Sequence, residues 1–147
     1  MKVINQIKLS FPSNSENEGF SRAAVCAFIL PLNPTVAEVA DIKTAVSEAV
    51  TNAIVHAYPQ TVGTVYIDAK ITDDRRVIIK IRDTGVGIEN IEQAMEPLFT
   101  TSTDERAGLG FAVMQSFSDK VRVRSAVGRG TAVTLEKMLH SAYDDAQ

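Results

Sequence analysis

Residues 35–57 read TVAEVADIKTAVSEAVTNAIVHA, and their pattern predicts the central element of the fold. Apolar side chains recur there at steps of three and four residues, and at 3.6 residues per turn this spacing forms a single stripe along a helix. The stripe consists of Val39, Ile42, Val46, Ala49, Val50, Ala53 and Ala57. Roughly opposite it, Glu48 and Asn52 stand four residues apart and therefore share one face. We predict one long amphipathic helix over residues 35–57 whose polar face carries these two side chains.

The polar face of this helix has two interpretations. Asn is a poor helix former because its amide competes for backbone hydrogen bonds, so Asn52 in mid-helix directly above Glu48 is unusual. The pair marks either a functional site or an ordinary solvated surface, and the helix alone does not decide between them. Its start is better defined, because Thr35 and Glu38 form a capping box pattern after a proline-rich turn.

Composition indicates a single domain over residues 1–147, with a polar tail from about residue 140. The chain is 45% hydrophobic and 22% charged, which is typical of globular proteins. Its net charge of −3 gives no general attraction to nucleic acid or to an anionic membrane, so we expect neither as a direct partner. The single cysteine, Cys26, forms no disulfide within one chain, which fits a reducing cytoplasm. No apolar run approaches the roughly 20 residues of a membrane span.

Shorter patterns predict the remaining elements. Residues 3–11 alternate as a strand, and residues 16–30 form a helix opened by a second capping box, Ser15 with Glu18. That helix is expected to direct five side chains inward: Phe20, Ala23, Ala24, Ala27 and Phe28. Further strands are predicted at 64–72, 76–82, 121–125 and 131–136, with a hairpin turn at 73–75. A short helix at 91–95, a mobile loop at 98–107 and a helix opened by residues 108–110 complete the chain.

Two glycine motifs stand at the ends of these elements. Asp83-Thr84-Gly85-Val86-Gly87 follows a buried strand, so the backbone there turns sharply or lets another group approach closely. Gly108-Leu109-Gly110 opens a helix, where free N–H groups and the positive end of the dipole suit a phosphate. Taken singly, each motif is also compatible with an ordinary tight turn or a junction that needs small residues.

The order of four motifs resembles the GHKL (Bergerat) ATPase and kinase superfamily. The motifs are EAVTN with His56 following, DTGVG, GLG after a loop, and GRGT between two strands. Within the superfamily, the runs VSEAVTNAIVHAY, IRDTGVGIENIEQAMEPLFTTS and GLGFAVMQSF most resemble the anti-sigma-F family of serine kinases. The resemblance implies an α/β (α+β) two-layer sandwich, with a mixed, mostly antiparallel sheet covered on one face by helices.

The resemblance also implies a role for each polar motif residue on the central helix and the first glycine motif. Asn52 would be the ligand of Mg²⁺, and Glu48 would be the general base that accepts a proton from the attacking hydroxyl. Asp83 would accept a hydrogen bond from the adenine amino group of ATP. Gly85 and Gly87 would let the base lie close to the backbone.

The later motifs would hold the rest of the nucleotide. Thr131 resembles the family threonine that supports adenine recognition from the neighbouring strand. Gly108, Leu109 and Gly110 would bind phosphates through backbone N–H groups, and Arg106 would neutralise the terminal phosphate. Arg22 matches an arginine of the family's partner-binding surface, or is an ordinary solvated arginine.

In function, the resemblance implies a homodimeric, ATP-dependent protein serine kinase that is also an anti-sigma factor. Its partners would be a sporulation sigma factor and an anti-anti-sigma protein that it phosphorylates on a serine. Two alternatives are a non-catalytic, ATP-dependent sigma-sequestering switch and the related general-stress anti-sigma kinase. Ala57 and Ser102 depart from residues common in relatives, glycine and lysine respectively, and His56 is expected to be a structural hydrogen bonder.

Overall fold

The computed structural model describes residues 1–95 and 110–140. Its strands are β1 (Val3–Pro12), β2 (Thr64–Thr72), β3 (Arg76–Asp83), β4 (Lys120–Ala126) and β5 (Gly130–Met138). Its helices are α1 (Glu16–Ile29), α2 (Val36–Asn52), α3 (Ile91–Ala94) and α4 (Gly110–Phe117), with a 3₁₀ turn at Leu30–Leu32 and a π-helical turn at Ala53–Ala57. The predicted loop at 98–107, with Ser102 in it, and the tail beyond His140 lie outside the described residues.

The five strands form one sheet in the order β1-β2-β3-β5-β4, and every pairing among them is antiparallel. The predicted two-layer α+β architecture is confirmed, but the expected mixed sheet is wrong for the described strands. The reason lies in the last hairpin. β4 runs in the same direction as β3, yet β5 inserts between them, so these two strands are not neighbours.

Helix α2 lies at the centre of the helical layer, against both α1 and α4. Its side chains Val46 and Val50 are fully buried with Val25 of α1, Met114 of α4 and Ile67 of β2. The predicted capping box is confirmed, since Thr35 Oγ1 accepts from Glu38 N at 3.1 Å and Thr35 N donates to Glu38 Oε1 at 2.9 Å.

The predicted helix over residues 35–57 is correct in extent but not in type. It is α-helical only to Asn52, and its last turn, Ala53–Ala57, is a π-helix. This wider turn packs against the segment after β3, where Ala57 O accepts a hydrogen bond from Val86 N at 3.0 Å. Contact with a distant segment cannot be inferred from the helical period of residues 35–57.

Helix α1 departs from two predictions. Ser15 has helical φ and ψ and makes no side-chain cap, while the Glu18 carboxylate lies 3.7 Å from Arg22 instead. The predicted inward face is wrong as well, because Ser21, Val25 and Ile29 are the buried residues. Phe20 is 63% exposed, Ala23 and Ala27 are exposed, and Ala24 and Phe28 are half-buried. The helix carries two apolar stripes, and the one with the branched side chains fills the core.

Candidate functional site

A cavity of about 820 Å³ lies between the helical layer and the inner face of the sheet. Its walls come from the second half of α2, the π-helical turn, the ends of β3 and β5, and the segment 86–94. Polar groups that sequence reasoning had singled out converge there: Asn52, His56, Asp83 and Thr131 all line the cavity. The motifs are distant in sequence, and the fold brings them together.

One end of the cavity is built around Asp83, the last residue of β3. Its Oδ1 accepts from Gly85 N at 3.0 Å and from Thr131 N at 3.1 Å. Both bonds use the same oxygen, and no described residue donates to Oδ2. Burial raises the pKa of Asp83, although the two backbone N–H groups and the nearby Arg82 oppose the shift. Asp83 is therefore a fixed, buried acceptor with one oxygen available to a ligand.

Two hydroxyl groups that the sequence did not single out hold the segment after Asp83. Tyr58 Oη accepts from Thr84 N at 2.8 Å and donates to Thr64 O at 2.7 Å. Ser125 Oγ accepts from Ile88 N at 2.7 Å and lies 2.8 Å from Thr131 Oγ1. The sequence could have indicated Ser125, because it is the one polar residue at the inward positions of β4.

Gly85 and Gly87 are required by packing within the protein. A Cβ on Gly85 would lie 2.1 Å from Ala57 O, and one on Gly87, whose φ is +79°, would lie 2.3 Å from Ala126 O. The segment is thus pressed between the π-helical turn and the β4–β5 hairpin. Gly87 lines the cavity, whereas Gly85 is not among the lining residues. Close approach of a ligand to these glycines stays a prediction.

The other end of the cavity joins α2 to the start of α4. A Cβ on Gly110 would lie 2.8 Å from Asn52 Nδ2 and 2.9 Å from its Oδ1, so the two residues are in direct contact. The N–H groups of the first turn of α4 have no acceptor within the helix, and they carry its positive dipole end. Gly108, Leu109 and Arg106, the other predicted phosphate-binding residues, lie outside the described residues.

The remaining predicted residues lie farther from the cavity. Glu48 is half-buried on α2, one turn before Asn52, and is not among the lining residues. Arg22 lies on α1, where its guanidinium is 3.7 Å from the Glu18 carboxylate. Neither placement tests the role predicted for the residue.

The donor set limits how a metal could be held. Within residues 1–95 and 110–140, no group of three or more His, Cys, Asp or Glu side chains could hold an ion. The amide oxygen of Asn52 supplies one hard oxygen donor beside the start of α4. It fits a cation whose other ligands are water and the oxygens of a bound molecule, as is usual for Mg²⁺ on phosphates.

Comparison with known proteins identifies the family. The model of the histidine kinase-like ATPase domain matches residues 21–137. The chain is 51% identical over 140 residues to an anti-sigma F factor of Caldanaerobacter subterraneus subsp. tengcongensis. The aligned region covers 95% of this chain and 97% of that protein. The chain belongs to the anti-sigma F factor family, within the histidine kinase-like ATPases.

Other members of this family and two solved structures agree. The anti-sigma F factor of Clostridium beijerinckii is 53% identical over 135 residues, covering 90% of this chain and 94% of that protein. The structure of the RsbU and RsbW domains of a Mycobacterium tuberculosis protein superposes with a TM-score of 0.67 at 19% identity, over 92% of this chain and 32% of that chain. A blue-light activated histidine kinase of Erythrobacter litoralis superposes with a TM-score of 0.60 at 20% identity, over 82% of this chain and 41% of that chain. At these identities the two structures support the fold alone.

One further property concerns membranes. None of the helices in the described part of the chain combines the length and apolarity needed to cross a bilayer.

Proposed function

We propose that this protein is an ATP-dependent protein serine kinase and an anti-sigma factor. It would sequester a sporulation sigma factor and phosphorylate a serine of an anti-anti-sigma protein. The observation that carries the proposal is the pairing of two chemistries in one cavity. A buried carboxylate at Asp83 lies at one end, and the amide of Asn52 against the start of α4 lies at the other.

The Asp83 end suits adenine. Oδ2 would accept from the exocyclic amino group of the base, and guanine would place a carbonyl oxygen there and be repelled. Thr131 fixes the other carboxylate oxygen through its backbone N–H and is itself close to Ser125. The apolar walls from Ile81, Val133 and the π-helical turn suit a flat ring.

The Asn52 end suits the phosphates. Asn52 would ligate Mg²⁺, which when bound neutralises phosphate charge and orients the terminal group. The backbone N–H groups of Gly108, Leu109 and Gly110 would donate to phosphate oxygens, and Arg106 would neutralise the terminal phosphate. The contact between Gly110 and Asn52 supports a phosphate site at this end of the cavity, because it brings the start of α4 against the residue that would ligate Mg²⁺.

In the transfer step, Glu48 would remove the proton from the partner's serine hydroxyl. The serine oxygen then bonds to the γ-phosphorus while the bond from that phosphorus to the β–γ bridging oxygen breaks, and ADP leaves. No covalent intermediate on the protein is needed, since positioning and charge stabilisation supply most of phosphoryl-transfer catalysis. Asn52 and Glu48 lie one turn apart on α2, so one helix would carry the metal ligand and the base.

The partner surface would include Arg22 and the exposed stripe of α1. On the exposed stripe, Phe20 is 63% exposed, and Leu30, just after the helix, is 58% exposed. Exposed large apolar side chains are typical of protein interaction sites. The relatives named anti-sigma F factors support a sigma factor as one partner. We also propose a homodimer that acts in the cytoplasm.

The test is transfer of labelled γ-phosphate from ATP to the anti-anti-sigma protein encoded nearest this gene. Wild type should label a serine of that protein. Glu48→Gln should reduce the rate by about 10²–10⁴-fold, the usual contribution of a general base, while ATP binding is kept. Glu92→Gln is the matched control, since Glu92 is exposed on α3 and does not line the cavity.

The possible outcomes separate the alternatives. Tight ATP binding without any label on the partner would leave the non-catalytic sequestering switch as the better account. Full activity in Glu48→Gln would remove the assignment of the base but keep the kinase.

A further inference from the structure

The outer face of the sheet, on the side away from the helices, is strongly cationic. Lys137 shows which positions of β5 face the helices, because its Nζ lies 3.2 Å from Asp41 of α2. The even-numbered positions of β5 therefore face away from the helices. The strand register then assigns the outward positions of all five strands. Outward basic residues are Lys8, Lys70, Arg76, Lys80, Arg82, Lys120, Arg122 and Arg124, against Asp68 and Glu136 as acids.

Most of these cations have no acidic neighbour. Lys8 pairs with Asp68 at 3.8 Å, and Arg76 with Glu136 at 3.3 Å, so both carboxylates are already used. No carboxylate of a described residue pairs with the other six basic side chains. Lys80, Arg122 and Arg124 are exposed to solvent. The surface is therefore positive although the chain as a whole carries −3.

We propose that this face is a docking surface for an acidic segment of another protein. The charge complementarity is the basis of the assignment: unpaired cations clustered on one face attract a partner whose surface carries several carboxylates. The face is separate from the cavity, because Asp83, Ile81 and Val133 line the cavity from the opposite side of the sheet. An acidic protein could thus dock without blocking the candidate site.

Two other kinds of polyanion fit the face less well. Single-stranded nucleic acid needs bare aromatic rings for stacking, but the ring of Tyr66 is covered by Arg82, whose Cζ lies 4.1 Å from the ring centroid. A membrane-binding face needs projecting apolar side chains, and the outward Ile78 and Met138 are half-buried. A symmetric contact with a second copy would bring two positive faces together.

The expected affinity is modest. With strands about 4.8 Å apart and a rise of about 3.3 Å per residue, the face covers roughly 500 Å². That is less than the roughly 800 Å² per partner of a standard interface, so binding should be weak and sensitive to salt.

The experiment measures binding of a fluorescent peptide of ten glutamates to the full chain by anisotropy. Wild type should bind it, with an affinity that falls as salt increases. Lys80→Glu with Arg122→Glu and Arg124→Glu should weaken binding at least 10-fold. The control variant changes the net charge by the same amount at exposed positions elsewhere, and it combines Lys2→Glu, Lys43→Glu and Arg129→Glu. It should bind the peptide less than 2-fold more weakly than wild type does. If the reversed face variant fails to fold, the glutamine substitutions at the same three positions replace it.

Three results would overturn the proposal. The first is an equal loss in the two charge-reversal variants, which would make the effect one of net charge alone. The second is tighter binding of a ten-residue thymine oligonucleotide, or of phosphatidylcholine vesicles containing phosphatidylserine. The third is a change of oligomeric state in the face variant, which would make this face a contact between copies of the chain.

Discussion

At the scale of single residues, Asp83 is a buried carboxyl group held in place by backbone N–H groups. The residue is 6% exposed, and two backbone N–H groups on one carboxylate oxygen partly offset the cost of that burial. Nucleotide recognition would use the second oxygen. In the proposed complex, adenine would complete the hydrogen bonding of this carboxyl group.

The first prediction concerns Asp83→Asn. Asn keeps an oxygen for the two N–H groups but presents an amide donor to the adenine amino group. ATP affinity should fall by about 10- to 100-fold, the loss of a hydrogen bond to a charged group of about 1.5–3 kcal/mol, and the preference over GTP should shrink. Equilibrium titration with both nucleotides measures this. Unchanged discrimination would show that Asp83 does not recognise the base.

The same residue gives a prediction about pH. Because the pKa of Asp83 is raised, its carboxylate is protonated at higher pH than an ordinary aspartate. Wild-type ATP affinity should fall as pH decreases through that raised pKa, since a protonated carboxyl no longer accepts at both oxygens. The sign for stability is opposite: a raised native pKa contributes stability at low pH that is lost as pH rises through it. In Asp83→Asn, the part of the pH dependence that comes from this carboxyl group should disappear from both ATP affinity and stability.

A second substitution tests the positioning of the segment after Asp83. Tyr58→Phe removes the acceptor of Thr84 N in an exposed hydrogen bond and the donor to Thr64 O in a part-buried one, which should cost about 0.5–1.5 kcal/mol of stability. We expect ATP to bind more weakly and the ATP-over-GTP preference to narrow, with little change in kcat for phosphoryl transfer. Tyr66→Phe is the control, because that hydroxyl is on the outer face. A loss of thermal stability with intact nucleotide preference would indicate a purely structural role.

At the scale of elements, the start of α2 is hydrogen-bonded to the segment that follows β5. Glu38 Oε1 accepts from Thr35 N in the capping box, and its Oε2 accepts from His140 N at 2.7 Å. Burial alone would raise the pKa of Glu38, but these hydrogen bonds outweigh it and the pKa is lowered. One carboxylate thus connects the first turn of α2 to the segment after β5.

Glu38→Gln should therefore destabilise the protein by about 1–3 kcal/mol at neutral pH, because the amide nitrogen cannot accept from a backbone N–H. A lowered native pKa gives stability that is present above the unfolded pKa and is lost as pH falls through the native value. The difference between wild type and variant should thus shrink in acid. Urea unfolding at several pH values measures it, and a difference that stays constant with pH would contradict the assigned cause.

The elements also show which features the sequence could predict. The capping box at Thr35 and the hairpin strand β2 are local patterns, and both were predicted correctly. The inward face of α1 was not, because the alanines and Phe20 form a stripe as apolar as that of Val25 and Ile29, and only packing against α2 selects one. The π-helical turn likewise depends on contact with a segment about 30 residues later.

The same limit applies to the candidate site. Asn52, Asp83 and Thr131 belong to recognisable motifs, and the sequence predicted their convergence through the family resemblance. Tyr58 and Ser125 act through single hydroxyl groups on backbone atoms of other segments. Such contacts leave no periodic signal, so they were found only once the fold was known.

At the scale of the whole molecule, the proposed homodimer is testable directly. Light scattering at micromolar concentration with ATP present should give twice the 15.9 kDa mass of the chain. Charge reversal on the outer face should leave that mass unchanged, because a symmetric contact there would bring two positive faces together. A monomer under these conditions would contradict the proposed dimer.

Calorimetric titration of ATP measures the property on which the proposed function depends, which is that the cavity between α2 and the sheet binds ATP with Mg²⁺. Wild type should bind ATP with Mg²⁺ and lose most of that affinity when the metal is chelated. Asn52→Ala should show the same loss with the metal present, whereas Thr51→Ala, the neighbouring position on α2, should bind as wild type does. Failure of the wild type to bind ATP, or equal Mg²⁺-dependent binding in Asn52→Ala, would contradict the claim.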